Sequence, residues 1–168
     1  MQLKPADSPE LLRLVAGWLS EKENYQWLEF GDGRQMASPE WLKIATQRGS
    51  QVLRLFTADD TDTPIGVAGF SNVHPRFKTA TYWIVLGDKT HARRGYASRV
   101  SSRMLTLGFT ELGLQSIQTW IVDHNPSMGV LRSLKFKPIG RLRQCHVIDG
   151  RTYDRLWYDL LPSEHEEI

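Results

Sequence analysis

Residues 82–112 constrain the fold more than any other segment, because an apolar run is joined there to an amphipathic helix through one basic turn. The run at 82–86 is typical of a buried strand. After a turn that contains Gly95, apolar residues recur with helical spacing at Val100, Met104, Leu105 and Phe109. The sequence therefore predicts a strand, a tight turn and a central helix in direct succession.

The turn and the first half of this helix are basic. Between residues 89 and 110 the chain has no carboxylate and five cationic residues: Lys89, Arg93, Arg94, Arg99 and Arg103. A helix N-terminus carries partial positive charge and usually attracts Asp or Glu. Free backbone N–H groups at a helix start, next to a glycine that lets a ligand approach, form a common phosphate site. The turn predicts a site for an anion such as pyrophosphate, with a solvated basic helix as the alternative.

The composition is that of a globular domain. The chain has 168 residues, of which 40% are hydrophobic and 24% charged, and this predicts one domain over 1–168 with a frayed tail at 162–168. The net charge of +2 gives no indication of nucleic-acid binding. The single cysteine, Cys145, favours a reducing compartment. The first residues lack a signal-peptide pattern, and no apolar run approaches the ~20 residues of a membrane span. A soluble cytoplasmic protein is expected.

Proline, glycine and capping serines divide the remaining chain. Ser8 and Ser38, each followed by Pro-Glu, predict two helix starts. Segments 51–58, 65–73 and 79–86 predict three antiparallel strands before the central helix. A strand at 116–122 and a short helix at 126–134 follow it. Asp149 and Gly150 predict a hairpin between strands 137–147 and 152–161. The order describes a mixed α/β sheet, which a short strand before the first helix would extend.

Four pieces of sequence, in this order, carry a resemblance to a known family: Arg93-Arg94-Gly95-Tyr96-Ala97, Asn125-Pro126-Ser127, residues 130–136 and residues 148–154. Over nearly the whole chain they resemble the GNAT superfamily of N-acetyltransferases, and within it the ribosomal-protein and polyamine (RimJ/RimL-like) branch. The resemblance implies a mostly antiparallel sheet of six or seven strands with helices on both faces. It also implies direct transfer of an acetyl group from acetyl-CoA to a primary amine, on a protein N-terminus, polyamine, amino sugar or other small molecule.

The resemblance implies that the pantetheine of acetyl-CoA lies along the strand that ends near residue 86 and that the next turn binds its pyrophosphate. The implied cofactor-binding residues are Val85, Leu86, Gly87, Ala92, Arg93, Arg94, Gly95, Tyr96, Ala97, Ser98, Asn125 and Arg132. Ala92 stands where relatives usually have Gln or Arg, which removes one side-chain contact. Asn125 is equally well explained as a helix cap before Pro126. No metal is implied.

Two positions that are catalytic in many relatives hold unreactive residues here. Leu131 replaces a tyrosine and Thr81 replaces a carboxylate base. Ser127 is then the candidate proton donor to the departing thiolate, its alternative being a helix-terminus hydroxyl. His124 is the candidate base, because histidine titrates near neutral pH. Its alternative is a solvated or capping role.

The connection after the first helix is predicted to be irregular from Asn24 onwards, and it is rich in aromatic and acidic residues. The resemblance places it over the acceptor, and the candidate acceptor-binding residues are Tyr25, Trp27 and Glu29. Glu29 is also a second candidate base. Together with Asp32 and neighbouring glutamates it suggests a cationic acceptor, although a solvated acidic face explains these charges equally well. Packing beneath a long connection is the alternative role of the aromatic residues, and above all of Phe30.

Two other functions compete with catalysis. A non-catalytic acyl-CoA-binding or sensing protein would keep the fold and accommodate Leu131 and Thr81. A nucleic-acid-binding module would use the arginines, but the sequence has no recognisable reader motif. By analogy alone, a homodimer is expected through edge strands or the terminal hairpin.

Overall fold

The computed structural model describes residues 1–29 and 37–168, and its strands form one seven-stranded sheet in the order β1-β2-β3-β4-β5-β7-β6. The strands are β1 Leu3–Pro5, β2 Val52–Thr57, β3 Pro64–His74, β4 Thr79–Leu86, β5 Ser116–Val122, β6 Lys137–Ile148 and β7 Arg151–Leu160. The helices are α1 Pro9–Ser20, α2 Lys22–Tyr25, α3 Pro39–Gln47, α4 Tyr96–Thr110 and α5 Met128–Ser133. The β4–β5 pair is parallel and the other strand pairs are antiparallel.

The predicted local signals form the elements expected of them. Ser8 Oγ accepts a hydrogen bond from Leu11 N at 3.2 Å, and Ser38 Oγ accepts one from Trp41 N at 3.1 Å. Asp149 and Gly150 have φ angles of 50° and 76° in the β6–β7 turn. Positive φ at both central residues gives a turn whose twist matches that of the strands it joins.

Alternating residues of the central strands supply two cores, one on each face of the sheet. Leu55 and Val67 pack with α1 and α3, whereas their neighbours Phe56 and Ala68 pack with α4 and α5. This follows from the two-residue period of a strand. The mixed sheet with helices on both faces is confirmed.

Two local details differ from the sequence-based expectation. The connection that starts at Asn24 was expected to be irregular, but it begins inside the single helical turn α2, where buried Asn24 donates from Nδ2 to Trp18 O at 2.8 Å. One turn is too short to produce a periodic pattern. Helix α5 starts at Met128 and not near Pro126, because Asn125 Oδ1 accepts a hydrogen bond from Ser127 N at 2.8 Å and closes a turn before the helix.

The tail at 162–168, expected from sequence to fray, lies along α4 in the structure. His165 Nε2 is 2.8 Å from Thr106 Oγ1, and Ile168 N donates to Ser102 Oγ at 2.9 Å. Within the described residues, no helix is long and apolar enough to cross a bilayer. The expected acceptor-side residues Phe30 and Asp32 lie outside the described residues.

Candidate active site

A cleft of about 310 Å³ opens in the middle of the sheet, where β4 and β5 separate. The two strands pair only from Thr79 opposite Ser116 to Thr81 opposite Gln118. Beyond that point β4 stays paired with β3, and β5 stays paired with β7. Each wall is therefore supported by its other neighbour, and we call the gap between the walls the central cleft.

The edge of β4 that faces the central cleft carries backbone groups without a partner strand. Tyr82 O faces β5, because it accepts the Thr119 hydroxyl at 3.0 Å. Strand alternation then directs the backbone N–H and C=O of Ile84 and Leu86 the same way. Val85 is opposite Val67 and its backbone faces β3. The cleft edge thus includes Leu86 as predicted, and also Ile84, which the sequence-based assignment missed although strand alternation could have indicated it.

Gly87 has a packing role in addition to its place beside the cleft. A Cβ built at this position would lie 2.1 Å from the indole of Trp18 on α1. Its backbone N donates to Ile65 O at 2.9 Å. The glycine therefore lets α1 pack closely against the end of β4.

The turn before α4 has the backbone geometry of an anion site. Arg93 and Gly95 have φ angles of 62° and 77°. Among the described residues, no acceptor is found for the backbone N–H groups from Arg93 to Ser98, whereas Ala92 N already donates to Lys89 O at 3.0 Å. Several N–H groups at the N-terminus of a 15-residue helix are thus available to one external anion.

The cationic side chains of this region fall into two sets. Arg99 donates to both carboxylate oxygens of Asp59, at 2.8 and 3.0 Å, and Arg103 donates to Met1 O at 3.0 Å. Arg93 and Arg94 are exposed and form no ion pair in the part of the chain that the structure describes. Only the second set remains for an anion. Asp59 precedes α4 by 37 residues, so no local pattern indicated that it would neutralise Arg99.

Tyr96 contributes its backbone to the turn and its side chain to the core. Its ring is 6% exposed. The hydroxyl accepts a hydrogen bond from Asp59 N at 3.1 Å, and the guanidinium of Arg99 lies 4.8 Å from the ring centroid. The predicted role of Tyr96 in cofactor binding is therefore restricted to its N–H group.

The predicted residues around α5 do not all reach the cleft. Asn125 and Ser127 line it. Asn125 Oδ1 accepts the hydrogen bond that closes the turn, whereas its Nδ2 has no acceptor among the described residues. Arg132 is exposed, contacts Met128 Sδ at 3.8 Å and lies outside the lining. His124 is also outside the lining, with its ring 4.8 Å from that of Tyr153 and 6.1 Å from that of Trp27.

The end of the cleft beside the α2 connection, which the resemblance assigns to the acceptor, contains a network that sequence reasoning missed. Trp27 and Glu29 line the cleft as predicted, whereas Tyr25 does not. Glu29 forms an ion pair with Arg155 of β7, whose guanidinium lies 4.0 Å from the ring centroid of Trp120. These contacts join β7 to the α2 connection across more than one hundred residues, so no local pattern could indicate them.

Arg155 is fixed by a second partner, His146. Arg155 Nε donates to His146 Nδ1 at 3.1 Å, and His146 Nε2 lies 2.7 Å from Gln26 O. One ring nitrogen is therefore an acceptor and the other a donor, which is the neutral form. Burial, together with the positive charge of Arg155, lowers the pKa of His146.

Lys89 also lines the cleft, which the sequence did not indicate because Lys89 was counted only as one cation of the basic segment. Its Nζ donates to Asn24 Oδ1 at 2.5 Å and to Leu86 O at 2.6 Å, and it joins α2 to the end of β4. Burial lowers the pKa of Lys89. Thr81 and Leu131 also line the cleft, so the two positions to which the resemblance gives a catalytic role face it without ionisable groups. Within residues 1–29 and 37–168, no cluster of His, Cys, Asp or Glu side chains is arranged to hold a metal.

Comparisons of the sequence identify one family. The model of the acetyltransferase (GNAT) domain matches residues 1–137. The chain is 33% identical over 107 residues to the uncharacterized N-acetyltransferase p20 of Bacillus licheniformis, covering 63% of this chain and 60% of the relative. It is 32% identical over 105 residues to the uncharacterized N-acetyltransferase YoaA of Bacillus subtilis (strain 168), covering 61% and 58%. The chain thus spans about three fifths of the length of these curated relatives.

Comparisons of the structure identify the same fold. A spermidine N-acetyltransferase from Vibrio cholerae, solved in complex with CoA and spermine, has a TM-score of 0.83 at 18% identity and covers 97% of this chain and 96% of its own. A dodecameric spermidine N-acetyltransferase from the same organism has a TM-score of 0.80 at 18% identity, covering 97% and 94%. At these identities the likeness is one of fold.

Proposed function

Because the chain belongs to the GNAT acetyltransferase family, we propose that it binds acetyl-CoA in the central cleft and transfers the acetyl group directly to a primary amine. The observation that carries this proposal is that the unpaired edge of β4 lines the same cleft as Ala97, which lies in the first turn of α4 among N–H groups that have no acceptor in the described residues. The edge offers alternating donors and acceptors to the pantetheine amides. The N–H groups and Arg93 and Arg94 offer positive charge to the pyrophosphate.

Acetyl-CoA supplies an activated acyl carbon. The protein therefore has to present a neutral amine, to allow the amine nitrogen to lose a proton and to provide a proton for the departing thiolate. The amine nitrogen forms the new C–N bond as the C–S bond breaks, and the nitrogen loses one proton while the departing thiolate gains one. Backbone N–H groups of the β4 edge are suited to stabilise negative charge on the carbonyl oxygen. Water in the open cleft can receive the proton of the amine.

The side-chain roles in this scheme remain proposals. Ser127 is the candidate donor to the thiolate, since its hydroxyl lines the cleft on the α5 side. Glu29 is the better placed candidate base, because it lines the cleft and His124 does not. Asn125 is assigned to cofactor binding through Nδ2. Val85, Gly87, Ala97 and Ser98 are assigned to the cofactor surface by their position beside this edge and this turn.

The experiment that tests the proposal is thermal unfolding with and without acetyl-CoA, followed by measurement of CoA release with a panel of amines. A ligand at one hundred times its dissociation constant adds about 2.7 kcal/mol, which raises Tm by roughly 5 to 10 °C in a chain of this length. We expect this shift for the natural sequence. We expect Arg94→Glu to reduce it strongly, because the variant places a negative charge beside the pyrophosphate site.

Arg76→Glu is the matched control, since Arg76 is exposed in the turn between β3 and β4, at the end of β4 away from Leu86. Equal shifts for Arg94→Glu and Arg76→Glu would contradict the pyrophosphate assignment. Binding of acetyl-CoA without turnover of any amine would favour the sensing protein over the enzyme. Unaltered turnover by Ser127→Ala would remove Ser127 from the mechanism.

We also propose that the protein self-associates in the cytoplasm. Edge strand β6 exposes the apolar side chains of Ile139, Leu142 and Val147. A spermidine N-acetyltransferase from Vibrio cholerae that has the same fold was solved as a dodecamer. Light scattering on the purified protein tests this proposal, and a monomer at micromolar concentration would contradict it.

A further inference from the structure

We infer that the acceptor end of the central cleft is built for a primary amine that has one positive charge and an aromatic or apolar group, and not for a polyamine. This inference rests on the proposed function. It assigns the acceptor class that the family and the fold leave open.

The first observation is the aromatic character of the wall. Trp27, Trp83 and Trp120 line the cleft together with Leu28. Indole rings provide a large apolar surface with few rotatable bonds, which favours flat or apolar partners. An amine with an aromatic group would cover this surface with a large apolar area, whereas a polyamine offers only short methylene segments between its ammonium groups.

The second observation is that the cationic position in this wall is already occupied by the protein. A carboxylate beside an indole face is a favourable site for a ligand cation. Arg155 is not itself among the lining residues, but it occupies this position beside two of them, because it pairs with Glu29 and stacks on Trp120, and it also bonds to His146. Its side chain is only 12% exposed, so three partners hold it in a nearly closed site.

The third observation is the charge balance. The carboxylates that line the cleft are Glu23 and Glu29, and the cations beside them are Lys89 and Arg155. Lys89 lies in the field of Glu23, which opposes the effect of burial on its pKa. Glu21 also acts on the pKa of Lys89, so Glu21, Glu23 and Glu29 stand against Lys89 and Arg155. The described wall therefore has one unbalanced negative charge, which suits a ligand with one positive charge and not a polycation.

The chemistry of the reaction strengthens this argument. The attacking nitrogen must lose its proton before it can form the C–N bond. Once it has lost that proton, a monoamine has no charge where it contacts the aromatic wall. A polyamine would keep its remaining ammonium groups there, and burying a charge without a counterion is costly.

The test compares 2-phenylethylamine with spermidine in steady-state CoA release and in calorimetric titration of each amine into the protein–CoA complex. We expect kcat/KM to be about tenfold or more higher for 2-phenylethylamine, with tighter binding in the titration. Equal or better use of spermidine, or use of neither amine by protein that binds acetyl-CoA, overturns the inference and leaves acetyl-CoA binding intact. Failure to bind acetyl-CoA overturns the proposed function as well.

Two variants test the role of Arg155 as a positioning residue. Arg155→Met leaves Glu29 unpaired, and we expect it to shift the ratio of kcat/KM values about tenfold towards spermidine. Glu29→Gln leaves Arg155 unpaired, and we expect the ratio to move in the opposite direction. Arg76→Met is the matched control and should leave the ratio unchanged. If Arg155→Met fails to fold in a thermal unfolding assay, Glu29→Gln decides, and an unmoved ratio in that variant contradicts the inference.

Discussion

At the scale of single residues, Asp59 determines how the first turn of α4 is held. Its carboxylate accepts two hydrogen bonds from Arg99 and lies 3.3 Å from the N-terminal amino group of Met1. The Arg99 hydrogen bonds, with a smaller contribution from the amino group, hold the pKa of Asp59 well below its ordinary value of 3.8. Protonation of Asp59 is therefore linked to unfolding.

The sign of this linkage gives a prediction for Asp59→Asn. A depressed pKa in the folded state means that the carboxylate stabilises the fold above about pH 4 and loses this contribution as the pH falls towards the folded-state value. We expect Asp59→Asn to be less stable than the natural sequence at neutral pH, with a difference that narrows below about pH 4. Urea unfolding at a series of pH values measures the difference. Asp60→Asn, an exposed neighbour, is the control, and a pH-independent difference for Asp59→Asn would contradict the prediction.

The residues that sequence reasoning placed correctly are those whose role depends on nearby backbone. Gly95, Ser8 and the Asp149-Gly150 pair have such roles. Arg99 was counted among the cations of the basic segment, but its partner Asp59 could not be identified from the sequence, because that contact spans 40 residues. The spacing of neighbouring residues in the sequence does not indicate side-chain pairs that form between distant segments.

At the scale of secondary-structure elements, the separation of β4 from β5 begins at one buried hydrogen bond. Thr119 Oγ1 donates to Tyr82 O at 3.0 Å, and Thr119 is 5% exposed. We expect Thr119→Val to lower the free energy of unfolding by about 1–3 kcal/mol, because Tyr82 O loses its donor inside the sheet. Denaturant unfolding measures the loss. Thr119→Ser keeps the hydroxyl and removes only the methyl group, so it measures the contribution of packing, and an unchanged stability of Thr119→Val would contradict the prediction.

Elements with several turns or strongly alternating residues could be predicted from the sequence. Strand β5 spans the predicted residues 116–122, and β4 spans 79–86. The single turn α2 could not be predicted, since it is stabilised by Asn24 donating to the end of α1. It also positions Glu23 beside the cleft, so the missed element belongs to the candidate site.

At the scale of the whole molecule, the order of the elements predicted a mixed sheet, and the resemblance supplied its topology. The order alone could not show that β5 pairs in parallel with β4 for three residues and then separates, because strand pairing is set by packing on both faces. The two cores share β2, β3 and β4, and the cleft lining includes Trp83 and Val85 from the part held by α1 and α3 and Ile121 and Leu131 from the part held by α4 and α5. A ligand in the cleft would contact both parts.

This position predicts where acetyl-CoA should slow amide hydrogen exchange. Bound cofactor would provide acceptors for the N–H groups of Ile84 and Leu86 on the β4 edge and for those at 93–98, which have no acceptor among the described residues. We expect protection to increase most in these two segments, and little at the β6–β7 turn around Gly150. Exchange measured by mass spectrometry with saturating acetyl-CoA, and with Arg94→Glu as the weakened variant, tests this expectation. Uniform protection along the chain would indicate general stabilisation, and protection confined to the turn would mean that the β4 edge does not bind the pantetheine.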